Sequence, residues 1–381
     1  MPKPPQQSPG QADPEFEWLY GARPGPNRST PESTRIISRD DLREYQRTGR
    51  KPRPAAQPNQ PGRPRRRIPL LRIVIGLLAL WLVFLVVVPI MAWSRINRVD
   101  ISTANQIGDQ PGTNYLLVGS DSRRGLSRKE NKRLGTGGVG DVGQRTDTIM
   151  ILHTGSGKPV LMSIPRDSLV PIPGHGTSKI NAAFAWGGPK LLVRTVEQNT
   201  GLRIDNYVEI GFGGFVRIVD AVGGVTICPT KRMVDPKANL RINKGCQEVN
   251  GVVALGYSRS RYTMANGDLG RAQHQREVLG AIGDEVKSPW TFVNPFRYYR
   301  INQAVSSSIT ISKGTGPVAM AGFALAMTKV SGEKGLTCAV PIRDLAVHWD
   351  TERAKKLFGL LKEDRTDAIT KRLCTPGGLP E

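Results

Sequence analysis

An apolar run of 21 residues limits what this chain of 381 residues can fold into. Residues 73–93 contain no charged side chain. As a helix rising 1.5 Å per residue, they would cross a hydrocarbon core of roughly 30 Å. The run is hydrophobic all round, and it is too long and begins too late for a cleaved signal peptide. We therefore predict one transmembrane helix over residues 73–93.

The charges beside this run predict its orientation. Only Arg95 and Arg98 follow it closely, whereas five arginines precede it: Arg63, Arg65, Arg66, Arg67 and Arg72. Because basic residues accumulate on the cytoplasmic side, we expect the N-terminus in the cytoplasm of the cell and residues from 94 onward outside.

Residues 1–72 have the composition of a disordered, basic, Pro-rich cytoplasmic tail. Thirteen of the 29 prolines precede residue 68, and apolar residues are too few to form a core. Residues 15–20 are acidic and aromatic, and residues 38–49 fit one short helix capped by Ser38. Each segment is either a binding site for a cytoplasmic partner or chance composition, and the sequence leaves both readings open.

The net charge of +22 does not by itself indicate nucleic acid. Residues 1–72 carry 15 Lys and Arg against 7 Asp and Glu, which leaves about +14 on the rest. A basic surface binds phosphates and anionic polymers as well as it binds DNA. Because the predicted topology places the larger part outside the membrane, we expect no nucleic-acid partner.

All four cysteines follow the apolar run, and none has zinc-ligand spacing. In an oxidising compartment they are expected to form two structural disulfides. Of the three pairings available, we expect Cys228 with Cys246 and Cys338 with Cys374.

Strand and helix patterns alternate after a short stalk, residues 94–112, and predict an α/β catalytic domain over residues 113–375. Strands are expected at 114–118, 147–153, 160–164, 206–210, 225–228 and 336–342. Helices are expected at 180–186, 189–200, 213–222, 250–257, 271–287, 316–329 and 351–363. The Gly-rich loop 124–144 is either a lid or a surface insertion.

Charged residues recur at the ends of the predicted strands, where ligands bind in open α/β sheets. Magnesium takes one or two carboxylates plus phosphate oxygens, and arginine donates two hydrogen bonds to a phosphate. The carboxylates at strand ends are Asp121 and Asp147, and the arginines there are Arg123, Arg145 and Arg166. Three more arginines flank predicted helices: Arg259 and Arg261 follow the helix at 250–257, and Arg271 begins the helix at 271–287. Singly, each is most simply a solvated ion pair. Together they predict a site for a divalent cation and a phosphate. Because Arg145 and Asp147 precede their strand, that strand should run antiparallel to its neighbours in a mixed sheet.

Six ordered blocks resemble the LytR–CpsA–Psr (LCP) family over residues 113–290. They are NYLLVGSDSR (114–123), RTDT (145–148), SIPRD (163–167), KINAAF (179–184), YSRSR (257–261) and GDLGRAQHQ (267–275). Residues 347–350, VHWD, are similar to the end of actinobacterial members, which favours arabinogalactan or a teichoic-type polymer as cargo.

This resemblance implies a three-layer α-β-α LCP domain with a phosphotransferase activity. The enzyme would move a glycopolymer, as a sugar-1-phosphate, from a polyprenyl-pyrophosphate carrier to a peptidoglycan hydroxyl, releasing polyprenyl phosphate. The implied cofactor is Mg²⁺ or Mn²⁺, bound by Asp121 and Asp147. The implied catalytic residues are Asp121, Arg145, Asp147 and Arg166. The implied pyrophosphate-binding residues are Arg123, Arg145, Arg166, Lys179, Asn181, Arg259, Arg261, Arg271 and Gln275.

Three points stay open in the sequence. A membrane-anchored pyrophosphatase without an acceptor would use the same residues. The general base is Asp121, Asp147 or Asp167. Residues 210–219 either line an apolar groove for the prenyl chain or serve only for packing of a helix on the sheet.

The topology gives the first testable prediction. A reporter enzyme that is active only outside the cytoplasm, fused after Glu381, should be active because the arginines cluster before the span. A reporter active only in the cytoplasm serves as the matched control, and activity of that fusion alone would overturn the orientation.

Overall fold

The computed structural model describes residues 38–50, 70–102, 107–121, 134, 146–260, 268–330 and 334–380. The chain divides into two units, Met1–Ile68 and Pro69–Glu381. In the first unit, helix α1 spans Arg39–Thr48, and the Ser38 hydroxyl accepts a hydrogen bond from the Asp40 amide. The predicted short helix is thereby confirmed. The rest of the tail lies outside the described residues, so its disorder stays a prediction.

Helix α2, Leu70–Ser94, contains the predicted span. In the described part of the chain it is the one helix long and apolar enough to cross a membrane, with a mean hydropathy of 3.1 over 18 residues. Its first half is exposed, and part of its second half packs against the folded domain. The finding is consistent with a single membrane anchor.

Among the described residues, seven strands form one mixed sheet in the order β1-β12-β7-β2-β3-β4-β13. They are β1 Asn97–Val99, β2 Thr113–Ser120, β3 Thr146–Thr154, β4 Val160–Ile164, β7 Asn206–Gly211, β12 Ile309–Ser312 and β13 Leu336–Ala339. Short two-stranded pairs are β5 Leu169–Ile172 with β6 Gly176–Lys179, β8 Val225–Ile227 with β11 Gln247–Val249, and β9 Met233–Asp235 with β10 Leu240–Ile242. Strand β3 runs antiparallel to both β2 and β4, which confirms the predicted mixed sheet.

Helices cover both faces of this sheet. They are α3 Ile180–Thr200, α4 Phe212–Ala221, α5 Gly251–Arg259, α6 Asp268–Lys287, α7 Pro289–Val293, α8 Pro295–Ser308, α9 Pro317–Lys329 and α10 Thr351–Lys362. Alternate residues of β2 face opposite layers, since Leu116 packs with α3 and α10 whereas Leu117 packs with α9. Because both faces are buried, the strands read as continuous apolar runs, and the three-layer arrangement is confirmed.

Two parts of the fold differ from the sequence expectation. Asn97–Val99, within the predicted stalk, form β1 and pair with β12, so this part of the segment belongs to the sheet. The prediction also contains no element between residues 287 and 316, where α7, α8 and β12 lie. Here Pro289 and Pro295 begin helices, because proline at the first helical position loses no hydrogen bond.

The disulfides join Cys228 to Cys246 and Cys338 to Cys374, as predicted. The first lies beside the paired strands β8 and β11. The second attaches the C-terminal segment to β13, where the Ala339 amide also donates to the Thr375 carbonyl.

A buried arginine connects three elements behind the sheet. Arg276 of α6 is 7% exposed and donates to the Ser163 hydroxyl of β4 at 2.9 Å and to the Pro376 carbonyl at 3.0 Å. Burial lowers the pKa of Arg276 to about 10, so the side chain remains charged at neutral pH. In the sequence, Gly280 and Gly283 follow at i+4 and i+7 on the same face, a signal of close packing.

Replacing this residue should destabilise the domain. Arg276→Met keeps the apolar stem but removes both hydrogen bonds from the charged group, which should cost roughly 2–4 kcal/mol of unfolding free energy. Arg194→Met, at an exposed position of α3, is the control and should change it by less than about 0.5 kcal/mol. Equal unfolding curves for the two variants would contradict the role of Arg276.

Candidate active site

Three neighbouring strands bring charged residues to one edge of the sheet. Strand β2 ends directly before Asp121, and β4 ends two residues before Arg166. Strand β3 begins at the same edge, with Asp147 as its second residue. This convergence follows from the antiparallel position of β3 between two strands that run the other way.

The local backbone at this edge is fixed by a bulge between β2 and β3. The register shifts between Gly119 and Ser120, and the buried Thr146 hydroxyl lies 3.0 Å from the Gly119 carbonyl and 2.8 Å from that of Thr148. A Cβ at Gly119 would lie 2.8 Å from the Cβ of Thr148. Only glycine therefore lets the two strands approach closely beside Asp121 and Asp147.

A chain of alternating charges continues from Asp147. Arg166 forms an ion pair with Asp147 through Nη1, and its Nε lies 3.4 Å from Oδ2 of Asp167. Lys179 Nζ then lies 2.7 Å from Oδ1 of Asp167. Asp147 and Arg166 are about one-fifth exposed, whereas Lys179 is 59% exposed. The edge thus presents cations to solvent while its carboxylates are engaged.

The start of α3 completes this side of the site. Lys179 ends β6 and stands at the N-cap position of α3, and Asn181 is the second residue of that helix. The backbone N–H of Asn181 donates to the backbone carbonyl of Arg166 at 3.3 Å. The structure therefore places Lys179 and Asn181 close to Arg166.

An apolar cavity of about 330 Å³ adjoins the charged edge. It lies between the sheet and helices α4, α6, α8 and α9, with walls that include Leu117, Phe215, Ile282, Val305 and Phe323. Apart from Thr328, its polar side chains are Asp147, Thr148, Ser258, Arg259 and Gln275. Ile210, Gly211, Phe212, Phe215 and Ile218 also line it, so the run 210–219 forms part of an apolar wall.

Arg259 stands where this cavity meets the charged edge. It is the last residue of α5, its guanidinium lies 4.8 Å from the ring centre of Phe212, and Nη1 donates to the Leu134 carbonyl at 3.2 Å. Ser260 follows in an extended conformation. The contacts of Arg259 with Leu134 and with the ring of Phe212 were not predicted from the sequence.

A buried polar cluster fixes α5 against α6. Tyr257 donates to Glu277 at 2.6 Å, and its ring lies 4.2 Å from that of His274. Burial raises the pKa of Tyr257 above its usual range and lowers the pKa of His274 below its own. Both side chains are therefore neutral at pH 7, and the cluster positions Arg259 and Gln275 on its two helices.

Some predicted site residues lie outside the described part of the chain: Arg123, Arg145, Arg261 and most of the loop 124–144. Helix α6 begins three residues earlier than predicted, which places Arg271 in its first turn. Gln275 lines the cavity one turn further along. The phosphate-binding roles of these residues stay predictions.

The donor set suits a cation that is shared with a phosphate ligand. Asp121 and Asp147 stand at adjacent strand ends, and Mg²⁺ or Mn²⁺ commonly takes one or two carboxylates plus phosphate oxygens. Within the described ranges, no group of three or more His, Cys, Asp and Glu side chains could hold a metal ion by itself. The metal role of both aspartates stays a prediction.

The far wall of the cavity was not anticipated. Ile301 and Val305 come from α8, where no helix was predicted, and Met320 and Phe323 come from α9, which had been given no role. Their i, i+4 and i, i+3 spacings are the signal that would have placed each pair on one helical face.

Known proteins with similar sequences belong to one family. The LytR_cpsA_psr family profile matches residues 93–345. The probable cell wall biosynthesis protein LcpB of Corynebacterium glutamicum is 46% identical over 338 residues, which cover 84% of this chain and 80% of that protein. The polyisoprenyl-teichoic acid–peptidoglycan teichoic acid transferase TagU of Oceanobacillus iheyensis is 35% identical over 188 residues, 47% of this chain and 53% of that protein.

A solved structure shares the fold. The LytR-Csp2A-Psr enzyme from Actinomyces oris aligns with a TM-score of 0.57 at 21% sequence identity, over 70% of this chain and 96% of that one. The family profile covers more than half of the chain. This chain belongs to the LytR_cpsA_psr (LytR–CpsA–Psr) family.

Proposed function

We propose that this protein transfers a glycopolymer from a polyprenyl-pyrophosphate carrier to a sugar hydroxyl of peptidoglycan. The hydroxyl oxygen bonds to the phosphorus that carries the polymer, and the bond from that phosphorus to the bridging oxygen of the pyrophosphate breaks. The products are a phosphodiester and polyprenyl phosphate, and the hydroxyl proton passes to a base.

The observation that carries this proposal is the junction of a charged edge with an apolar cavity. Arg259 and Asp147 line the cavity beside side chains such as Phe212 and Phe323. A ligand that fills both parts has an anionic head and a long apolar tail, and a prenyl pyrophosphate has this form. Burial of the tail contributes about 25 cal/mol per Å² of apolar surface.

The names of relatives support the chemistry. TagU of Oceanobacillus iheyensis is named as a transferase that moves teichoic acid from a polyisoprenyl carrier to peptidoglycan, and LcpB of Corynebacterium glutamicum is named for cell wall biosynthesis. We infer a role in cell wall biosynthesis for this chain, with a teichoic-type polymer or arabinogalactan as cargo.

The residues then divide the work of phosphoryl transfer, which consists mostly of positioning and charge neutralisation. Arg166, which pairs with Asp147, and Arg259, which lines the cavity with Asp147, bind phosphate oxygens, and Lys179 and Asn181 extend the anion site. Mg²⁺ or Mn²⁺ held by Asp121 and Asp147 would supply further neutralisation of the pyrophosphate. Asp121, Asp147 and Asp167 are the carboxylates available at this edge to accept the hydroxyl proton.

We further propose that α2 anchors the protein in the cell membrane with residues 1–72 in the cytoplasm. The catalytic domain, residues 113–375 together with β1, then lies outside, where peptidoglycan is found. Two disulfides in this domain and no cysteine in the tail agree with an oxidising exterior.

The proposal predicts a specific product. The full chain, incubated with a defined lipid-linked donor and nascent peptidoglycan, should yield a peptidoglycan-linked phosphodiester and polyprenyl phosphate. Asp121→Asn and Asp147→Asn should each abolish transfer more than they lower the melting temperature, and each should weaken Mn²⁺ binding measured by electron paramagnetic resonance. Asp284→Asn, an exposed carboxylate on α6, is the matched control.

Two outcomes would contradict parts of this proposal. Donor hydrolysis without any peptidoglycan-linked product would favour the pyrophosphatase alternative. Full transfer in the presence of a chelator, or unchanged Mn²⁺ binding in both variants, would rule out the metal role of the two aspartates.

Arg259 gives a second prediction for this site. Arg259→Lys keeps the charge but loses the planar pair of donors, so kcat/KM should fall roughly ten- to a hundredfold, the equivalent of one charge-assisted hydrogen bond. We expect the same for Arg261→Lys. Arg217→Lys, on the exposed side of α4, is the control. Near-normal kcat/KM for Arg259→Lys would show that this arginine serves only to hold Phe212 and Leu134 in place.

A further inference from the structure

The outer half of α2 does not stand apart from the folded domain but packs along α8. The rings of Phe84 and Tyr298 lie 5.9 Å apart, and the Tyr298 hydroxyl donates to the Leu85 carbonyl at 2.8 Å. Ten residues further along the chain, directly after the end of α2, Arg95 Nη1 donates to Gln303 Oε1 at 3.1 Å. The two helices therefore run in the same direction, and each leads into one of two parallel strands, β1 and β12.

The hydrogen bond from Tyr298 replaces one that α2 lacks. Pro89 lies four residues after Leu85 and has no amide hydrogen, so the Leu85 carbonyl has no partner within its own helix. In hydrocarbon an unpaired carbonyl costs several kcal/mol, because no water is present to pair with it. With α2 in a membrane, Tyr298 thus donates a hydrogen bond to the Leu85 carbonyl where no water is present to do so.

The depth of this contact follows from the length of the span. At 1.5 Å per residue, residues 73–93 rise about 31 Å, so all of them are needed to cross a core of roughly 30 Å. Leu85 then lies about 12 Å inside the outer end of the span. Because α8 runs parallel to α2, the turn of α8 that precedes Tyr298 lies at the depth of Leu85 or deeper, and α7 leads into that turn.

The exposed surface of α7 and of the first turn of α8 is apolar. Five large side chains are exposed: Trp290 57%, Phe292 49%, Val293 62%, Phe296 80% and Tyr299 47%. Between Ser288 and Tyr299 the sequence has one charged residue, Arg297. Arg297 is 19% exposed and paired with Glu285 at 2.9 Å. The exposed large side chains of this stretch therefore carry no charge, and exposed apolar side chains grouped in this way mark sites of interaction with a membrane or a partner.

We propose that α7 and the first half of α8, residues 289–299, insert into the outer leaflet of the membrane as a second membrane-embedded element beside α2. The partner is the acyl-chain region of the bilayer. This inference rests on the proposed anchor but not on the proposed enzymatic activity. Ile301 and Val305 of the same helix line the cavity, so a single helix separates the cavity from the lipid.

The test uses the full chain in phosphatidylcholine–phosphatidylglycerol vesicles. All four native cysteines are in disulfides, so an introduced cysteine is a unique site for an environment-sensitive fluorophore. Phe296→Cys probes the inserted segment, and Leu82→Cys, 55% exposed on α2, probes hydrocarbon depth. Lys362→Cys is exposed near Asp364, which contacts His153 at the opposite edge of the sheet, and serves as the aqueous control.

The expected result is that the label at position 296 shows a blue-shifted emission and is quenched by lipids carrying a mid-chain nitroxide, to about the same fraction as the label at 82. The label at 362 should be quenched by aqueous iodide alone. If position 296 behaves like 362 while 82 behaves as lipid-exposed, the insertion is wrong and the anchor stands. If position 82 is also exposed to iodide, both the anchor and the insertion are wrong.

Discussion

The antiparallel pairing of β3 with β2 and β4 is the constraint on which the site depends. It places the beginning of one strand between the ends of two others, so that Asp147 meets Arg166 and Asp121 follows on the neighbouring strand. In a fully parallel sheet, the beginning and end of neighbouring strands would lie at opposite edges. The close approach at Gly119 and the buried Thr146 hydroxyl hold this register.

The same sheet separates two kinds of surface that the proposed substrate needs. The edge offers guanidinium and ammonium groups, while the face below it offers an apolar cavity closed by α4, α6, α8 and α9. Arg259 belongs to both, since it reaches the edge from the end of α5 and stacks on Phe212 of the cavity wall. An anionic headgroup and an apolar chain would therefore be bound by one continuous site.

The sheet also relates this site to the anchor. Strands β1 and β12 begin at the edge where β3 begins, because β12 is antiparallel to β7 and β7 is parallel to β2. Four strand spacings separate β1 from β3, or roughly 19 Å. Helix α2 leads into β1, so α2 approaches the sheet at the charged edge. A lipid-linked donor held in the bilayer would reach this edge without its prenyl chain having to cross water.

The sequence by itself determined the apolar span, the mixed sheet and the blocks that carry the charged residues, because each depends on local composition, strand periodicity or short motifs. The disulfide pairing was a choice among three, which the structure decided. The sequence did not determine that Asn97–Val99 join the sheet or that Tyr298 pairs with the carbonyl left open by Pro89. Those features depend on partners distant along the chain. Only the tertiary structure decided that α8 lies between α2 and the cavity. A helix that packs on two sides has apolar residues on both faces, so its sequence does not show the single apolar stripe of an amphipathic helix.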